Sequence, residues 1–252
     1  MMGKSHAATG LAVGAGIGVA VFGLGSADWL IPSLAVCGAA VLPDIDEPDS
    51  SVSREFGIVS RGFSEVVNKI SGGHRKLTHS LLGLGIVVAL LVPVSFGRVA
   101  CAVLFGLLAA TAWRLMAPRW LPFRKMLFIF TGAAAGEALY RYHPISDYWF
   151  VLFVGVGWLV HMGGDYLTRG GIPLLYPRGG KSSFPIFGAT GSTIETAFAT
   201  ALSIAVVVAI GFWGAHHYPA GTLQLHGGTS SVQRVDPSLL RPLTSLLGKR
   251  KQ

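Results

Sequence analysis

The chain has 252 residues, of which 51% are hydrophobic and only 13% charged, with a formal net charge of +8 and a mean hydropathy of +0.56. Soluble domains carry roughly 25% charged residues, so this balance argues against an ordinary soluble enzyme or binding module and for a membrane chain. The positive charge comes without interleaved aromatic and basic residues, which argues against nucleic acid and makes anionic membrane lipids the nearer partner.

A spanning helix needs about 17–25 apolar residues, and residues 7–27 supply the first such run. Residues 31–42 are shorter and read as a re-entrant or half-buried segment. The polar stretch 47–73 holds an amphipathic surface helix with Val59, Phe63, Val66, Val67 and Ile70 on one stripe. Residues 81–97 are again long enough, while 99–113 and 126–136 are shorter and rely on flanking Arg and Lys to snorkel outward. Runs at 148–164 and 196–215 complete the series. The expected fold is all-α, a polytopic helical bundle of about five to seven membrane segments over residues 1–215, followed by a basic tail, 216–252. A soluble protein with very apolar core helices is the rival reading.

Small residues one turn apart, Gly10, Gly14, Gly18 and Gly132, Gly136, allow membrane helices to approach closely. Lys4, the first apolar run and Gly25-Ser26-Ala27 also have the outline of a cleavable secretory signal. The run is longer than the usual about 7–15 residues and another apolar segment follows, so it reads as a retained helix carrying His6. Cys37 and Cys101 lie in apolar stretches and read as small buried hydrophobes.

If every segment crosses, His6 precedes the first crossing, Asp44, Asp46, His74 and His79 follow the second, and His161 and Asp165 end the sixth. All seven then share one face, and a non-spanning hairpin for the first two segments leaves this unchanged. That face carries 13 of the 20 Lys and Arg residues, so it is expected to be cytoplasmic. His143, His216, His217 and His226 fall on the other face. Glu137 and Arg141 have the spacing of a structural ion pair.

Imidazole and carboxylate donors in this mixture suit one or two divalent ions, zinc, manganese or iron. In Gly73-His74-Arg75-Lys76-Leu77-Thr78-His79-Ser80, His74 belongs to a lead-in loop and His79 to the first turn of the next helix. Arg75 can clamp a phosphate oxygen. In Pro43-Asp44-Ile45-Asp46 the carboxylates point apart, so one binds directly and the other bridges ions or orients a histidine. The spacing of His161 and Asp165 places them on one helical face.

The order of these elements, Lys4-Ser5-His6, then Leu42-Pro43-Asp44-Ile45-Asp46, then His74 to Ser80, then His161-Met162-Gly163-Gly164-Asp165-Tyr166-Leu167-Thr168, resembles the YdjM family of bacterial inner-membrane proteins, described as predicted metal-dependent hydrolases. The resemblance covers about residues 1–200. Thr190-Gly191-Ser192-Thr193-Ile194-Glu195 also looks like the family's pattern and adds Glu195 as a ligand or base. The resemblance implies an inner-membrane location and hydrolase chemistry.

The expected mechanism is water activation by an ion held by His6, Asp44, Asp46, His79, His161 and Asp165, with His74 a further ligand. Asp46 or Glu195 accepts the proton, and Arg75 stabilises charge on a phosphate oxygen. A site at headgroup depth favours a phosphoester of a lipid or lipid-linked substrate. Residues 166–194, rich in Gly and Pro, are the expected access element or else an interfacial linker. The alternatives are a divalent-cation transporter and a scaffold in which metal pins helix ends.

Overall fold

A computed structural model describes residues 1–23, 27–118, 120–142 and 147–217. The tail from Tyr218 onward, with His226, and His143 lie outside the described residues. Apolar residues dominate the sequence, and the described residues fold into helices: α1 (Gly3–Phe22), α2 (Leu30–Ala39), α3 (Ile58–Ser71), α4 (Leu81–Ser95), α5 (Arg98–Met116), α6 (Arg124–Tyr142), α7 (Asp147–Tyr166) and α8 (Thr193–His217). The chain is all-α, as its apolar runs predict. Among the described residues, α1, α5 and the stretch Thr193–Phe212 of α8 are long and apolar enough to cross a membrane. Leu90, Val103, Ile204 and Val208 stand exposed on the outer surface, a pattern suited to lipid rather than water.

The second apolar run forms a helix of ten residues, about 15 Å long and half of what a bilayer core requires. It sits in the middle of the bundle, largely buried, against α1, α5 and α7. Glycines make this possible. A Cβ at Gly14 would stand 2.4 Å from the Pro32 carbonyl oxygen, and one at Gly38 would stand 2.3 Å from that of Leu108. Gly132 and Gly136 press in the same way on Gly106 and Ala102 of α5. In lipid such close packing, rather than escape from water, holds helices together.

Gly18 of α1 meets Trp29, whereas Gly10 meets Ala40, so α1 and α2 form an antiparallel hairpin. Its open end brings the start of α1 beside the residues after α2. The starts of α4 and α8 and the end of α7 gather at that same end, above a core of Ile31, Ala35, Val36, Phe105, Leu108 and Phe153. Helix α3 lies beside it, and its Asn68 side chain donates to the Asp46 carbonyl at 2.6 Å. Val59, Phe63, Val66 and Ile70 form the exposed apolar stripe and Val67 is half-buried, the form of a helix lying in the membrane interface.

The link between α7 and α8 is stitched down rather than loose. Arg169 and Phe187 donate backbone N–H groups to Gly188 and Leu167, Phe184 donates to Tyr166, and Leu81 at the start of α4 donates to Leu174.

Candidate metal centre

Each site residue stands at a helix end for a local reason. After α2 the chain winds through a 3-10 turn, Leu42–Asp46. At three residues per turn, side chains two apart diverge by about 120°, so Asp44 and Asp46 face different neighbours. Helix α3 closes on Gly72, and the backbone stays left-handed at Gly73 (φ 114°) and Arg75 (φ 57°). A non-glycine residue in that region is uncommon and marks local strain. His79 ends a further 3-10 turn just before Ser80, which caps α4 by accepting the Gly83 N–H at 3.1 Å. His79 therefore precedes the helix it was expected to open. His161 and Asp165 lie one turn apart on α7. The His6 ring of α1 stacks on His161 with centroids 3.8 Å apart. A Cβ on Gly164 would sit 3.0 Å from that ring, so glycine makes room for His6.

Four donor atoms converge. His79 Nε2 and His161 Nε2 are 3.0 Å apart, and Asp44 Oδ1 lies 3.5 Å from each. Asp165 Oδ2 lies 3.6 Å from His79 Nε2 and 3.9 Å from His161 Nε2. Ligands held about 2.0–2.2 Å from one ion stand roughly 3–3.6 Å from one another, so all of these spacings but the 3.9 Å one fall in the range for a divalent cation. Two triads with no residue in common, His6 with His161 and Asp165, and Asp44 with His74 and His79, each place their donor atoms within 4.8 Å of one another.

The hydrogen bonds around the imidazoles fix which nitrogen faces the centre. His161 Nδ1 contacts the Ala40 carbonyl at 2.8 Å, an acceptor, so Nδ1 carries the proton and Nε2 presents its lone pair. The Thr78 hydroxyl donates to Asp46 Oδ2 and so accepts from His79 Nδ1 at 2.9 Å, which leaves His79 Nε2 as the second nitrogen facing the centre, a lone pair once it gives up the proton that the neighbouring carboxylates favour. Two lone pairs facing each other beside two carboxylates repel unless positive charge lies between them. His79, His161, Asp165 and His6 are almost completely buried; His6 Nε2 faces Asp165 Oδ1 at 3.3 Å without an aligned hydrogen bond, Asp165 Oδ1 also takes the Met1 ammonium, and Asp165 Oδ2 accepts no aligned hydrogen bond. Buried polar groups left in this way are costly, and a cation would satisfy them.

Electrostatics at the loop residues agree. Burial pushes the Asp44 carboxyl up, but His161 and the contacts from His79 and His6 hold it well below the usual carboxylate range. Burial is likewise outweighed at Asp46, held near about 2 by His74, His79 and Thr78. Burial lowers the His79 pKa, but hydrogen bonds to Asp44 and Asp46 and their charges raise it to about 9. The carboxylates therefore draw a positive charge to this spot.

Asp46 stands behind the donors. Its Oδ1 meets His74 Nδ1 at 2.7 Å, and its Oδ2 lies 3.5 Å from His79 Nδ1 and accepts the Arg75 N–H at 3.2 Å. It orients histidines from their outer side. Arg75 turns its guanidinium onto Asp165, with Nε 3.0 Å from Oδ2 and Nη2 donating to Oδ1 at 3.2 Å. Glu195 opens α8 with its oxygens on the N–H groups of Met2 (2.6 Å) and Gly191 (2.8 Å), while Ser192 Oγ accepts the Glu195 N–H at 3.2 Å. Ser192 to Glu195 thus behaves much like a capping box.

Thr78, Asn68, Ala40 and Trp158, whose indole N–H donates to the Thr78 carbonyl at 2.8 Å, are supporting residues that the sequence reading passed over. Thr78 alone left a signal, a hydroxyl beside a candidate histidine. A cavity of about 310 Å³ reaches Asp44, His74 and Arg75 from outside and is bordered by Gly3 and Thr190.

The family described as YdjM inner membrane protein matches residues 1–222 of the chain. No curated protein and no solved structure matches it.

Proposed function

The chain belongs to the YdjM family of inner membrane proteins, and from that premise we propose that it is a metal-dependent hydrolase acting on a phosphoester of a lipid or lipid-linked substrate at the cytoplasmic membrane surface. The observation that carries this reading is the convergence of two imidazole lone pairs and two carboxylate oxygens at the end of a membrane bundle. A divalent ion held there would supply Lewis-acid chemistry, lowering the pKa of water and polarising a phosphoryl oxygen.

The chain's own groups divide the remaining work. His79, His161, Asp44 and Asp165 would hold the ion, with His6 and His74 at its flanks. Asp46 keeps His74 and His79 in the tautomers that binding needs. Arg75 borders the outer cavity and swings from Asp165 to a substrate phosphate, a bidentate partner for the guanidinium. His74 is part-exposed at the same mouth and takes or gives a proton there. The excess of Lys and Arg in loops on this side supports a cytoplasmic site. The apolar stripe of α3 supports a mouth lying at headgroup depth.

Cation transport fits less well. A transport path needs polar groups through the bundle, and beyond the donors the described core is filled by Val36, Phe105, Phe153 and Val154.

The test is phosphate release from phospholipids and lipid pyrophosphates by detergent-purified protein, after chelation and after restoring zinc, manganese or iron. Release that returns with one of these metals in the parent and never in Asp44→Ala is expected. Bound metal with no release from any substrate would end the hydrolase reading.

A further inference from the structure

Helix α1 has two unlike faces. Gly10, Gly14 and Gly18 are pressed onto α2, whereas Ala12, Ala15, Gly16 and Val19 look toward α8. There they meet Leu202, Ala205, Val206 and Ala209 across an apolar cavity of about 390 Å³. The helices touch without filling the space between them, because the facing side chains are small.

We infer that this groove takes a hydrocarbon chain of the membrane lipid whose phosphate reaches the metal centre. The inference rests on the hydrolase reading above and names the substrate class more closely, as a lipid gripped by its chain.

Three observations choose this occupant. The first is alignment. Helices α1 and α8 both begin at the site, carrying His6 and Glu195. At 1.5 Å per residue, the groove runs about 10 to 20 Å beyond them along both axes. The second is a shared pair of helices, although no residue lines both cavities. The cavity that reaches Asp44, His74 and Arg75 is bordered by Gly3, the first residue of α1, and by Thr190, just ahead of α8. Headgroup cavity and apolar groove therefore lie along the same pair of helices. The third is depth. Both helices have the length and hydropathy of membrane spans, so a groove 10 to 20 Å from their starts lies within the roughly 30 Å hydrocarbon layer. Gly16 is exposed there, which leaves the groove open sideways to lipid.

A second apolar groove, of about 460 Å³ between α5 and α6, is lined by Val103, Leu107, Gly132 and Tyr140. None of the metal-centre side chains borders it. It serves as an internal control for lipid that merely surrounds the protein.

Gly16 makes the test clean. Nothing lies within 4 Å of where its Cβ would stand, so Gly16→Leu fills the groove without pushing on backbone. Gly85 on α4 is equally open and lines neither groove, so Gly85→Leu adds the same bulk elsewhere. Each protein is reconstituted in vesicles of phosphatidylcholine and phosphatidic acid carrying a photoreactive group in the acyl chain, irradiated, and mapped by peptide mass spectrometry.

Adducts are expected to concentrate on residues 12–19 and 202–210. They should fall about tenfold in Gly16→Leu, as for loss of roughly two buried methylenes of contact, and hold steady in Gly85→Leu. In the same samples, phosphate release from the long-chain lipid should fall with the adducts, while release from a water-soluble phosphoester should not. Adducts in the groove with no release from any lipid would keep the groove and discard the hydrolase reading. Adducts spread equally over both grooves, or unchanged in Gly16→Leu, would overturn the inference whatever the activity.

Discussion

Asp44 and Asp46 are separated by one residue in one turn, yet they belong to different regions of the centre. Asp44 faces the inner side, where the Nε2 atoms of His79 and His161 meet. Asp46 faces the outer side, where the Nδ1 atoms of His74 and His79 and the Thr78 hydroxyl are held. The inner region gathers ring nitrogens and carboxylate charge suited to a cation. The outer region has its hydrogen bonds made, and it decides which lone pairs the inner region presents. Binding strength should therefore fall steeply for changes inside and by smaller steps for changes outside.

The largest effect is expected inside. His79→Ala should abolish stoichiometric metal binding, measured by competition with a chelating dye. One step out, Asp46→Asn should keep the ion but weaken it by about 10–100-fold, the usual cost of losing the group that orients a ligand histidine. If Asp46→Asn loses the ion as completely as His79→Ala does, the division between the two regions is wrong. Thr78→Val removes only the hydroxyl between Asp46 and His79, and a loss of about tenfold or less is expected in the same titration.

Another buried carboxylate sharpens the contrast, because it lacks any such setting. Glu55 is 8% exposed, accepts one hydrogen bond, from Thr111 at 2.8 Å, and leaves Oε1 unbonded. Burial pushes its carboxyl from 4.5 up to about 7 despite Thr111 and Arg114. A raised folded value means that the protonated form is favoured in the fold. Its stabilising contribution is full below about pH 4.5 and is lost as pH rises through about 7. Glu55→Gln should therefore raise stability at pH 8 by about 1–3 kcal/mol. Thermal unfolding in detergent would show that gain and its disappearance near pH 4; an equal gain at both pH values would rule out titration of Glu55 as the cause.

Much of this arrangement can be read in the sequence, because the parity of apolar crossings alone sends His6, Asp44, Asp46, His74, His79, His161 and Asp165 to one end. The four-residue step from His161 to Asp165 predicts their shared face. What the sequence hides depends on partners far along the chain. Hydropathy does not separate α2, buried at the centre, from α8, which faces outward, since both are apolar. The unequal duties of Asp44 and Asp46 follow from a 3-10 turn whose direction is set by packing. The tautomer of His161 rests on a backbone carbonyl, that of Ala40, which no residue identity reveals. Glu195 carries a second, local explanation in Ser192-Thr193-Ile194-Glu195, the outline of a helix cap.

The most direct test is the metal content of detergent-purified parent protein and Asp44→Ala, measured by inductively coupled plasma mass spectrometry with the fold of each checked by circular dichroism. About one or two divalent ions per chain in the parent, and their loss from a folded Asp44→Ala, are expected. A parent that binds no divalent ion after gentle purification and replenishment, or a folded Asp44→Ala that binds as many, would contradict the account.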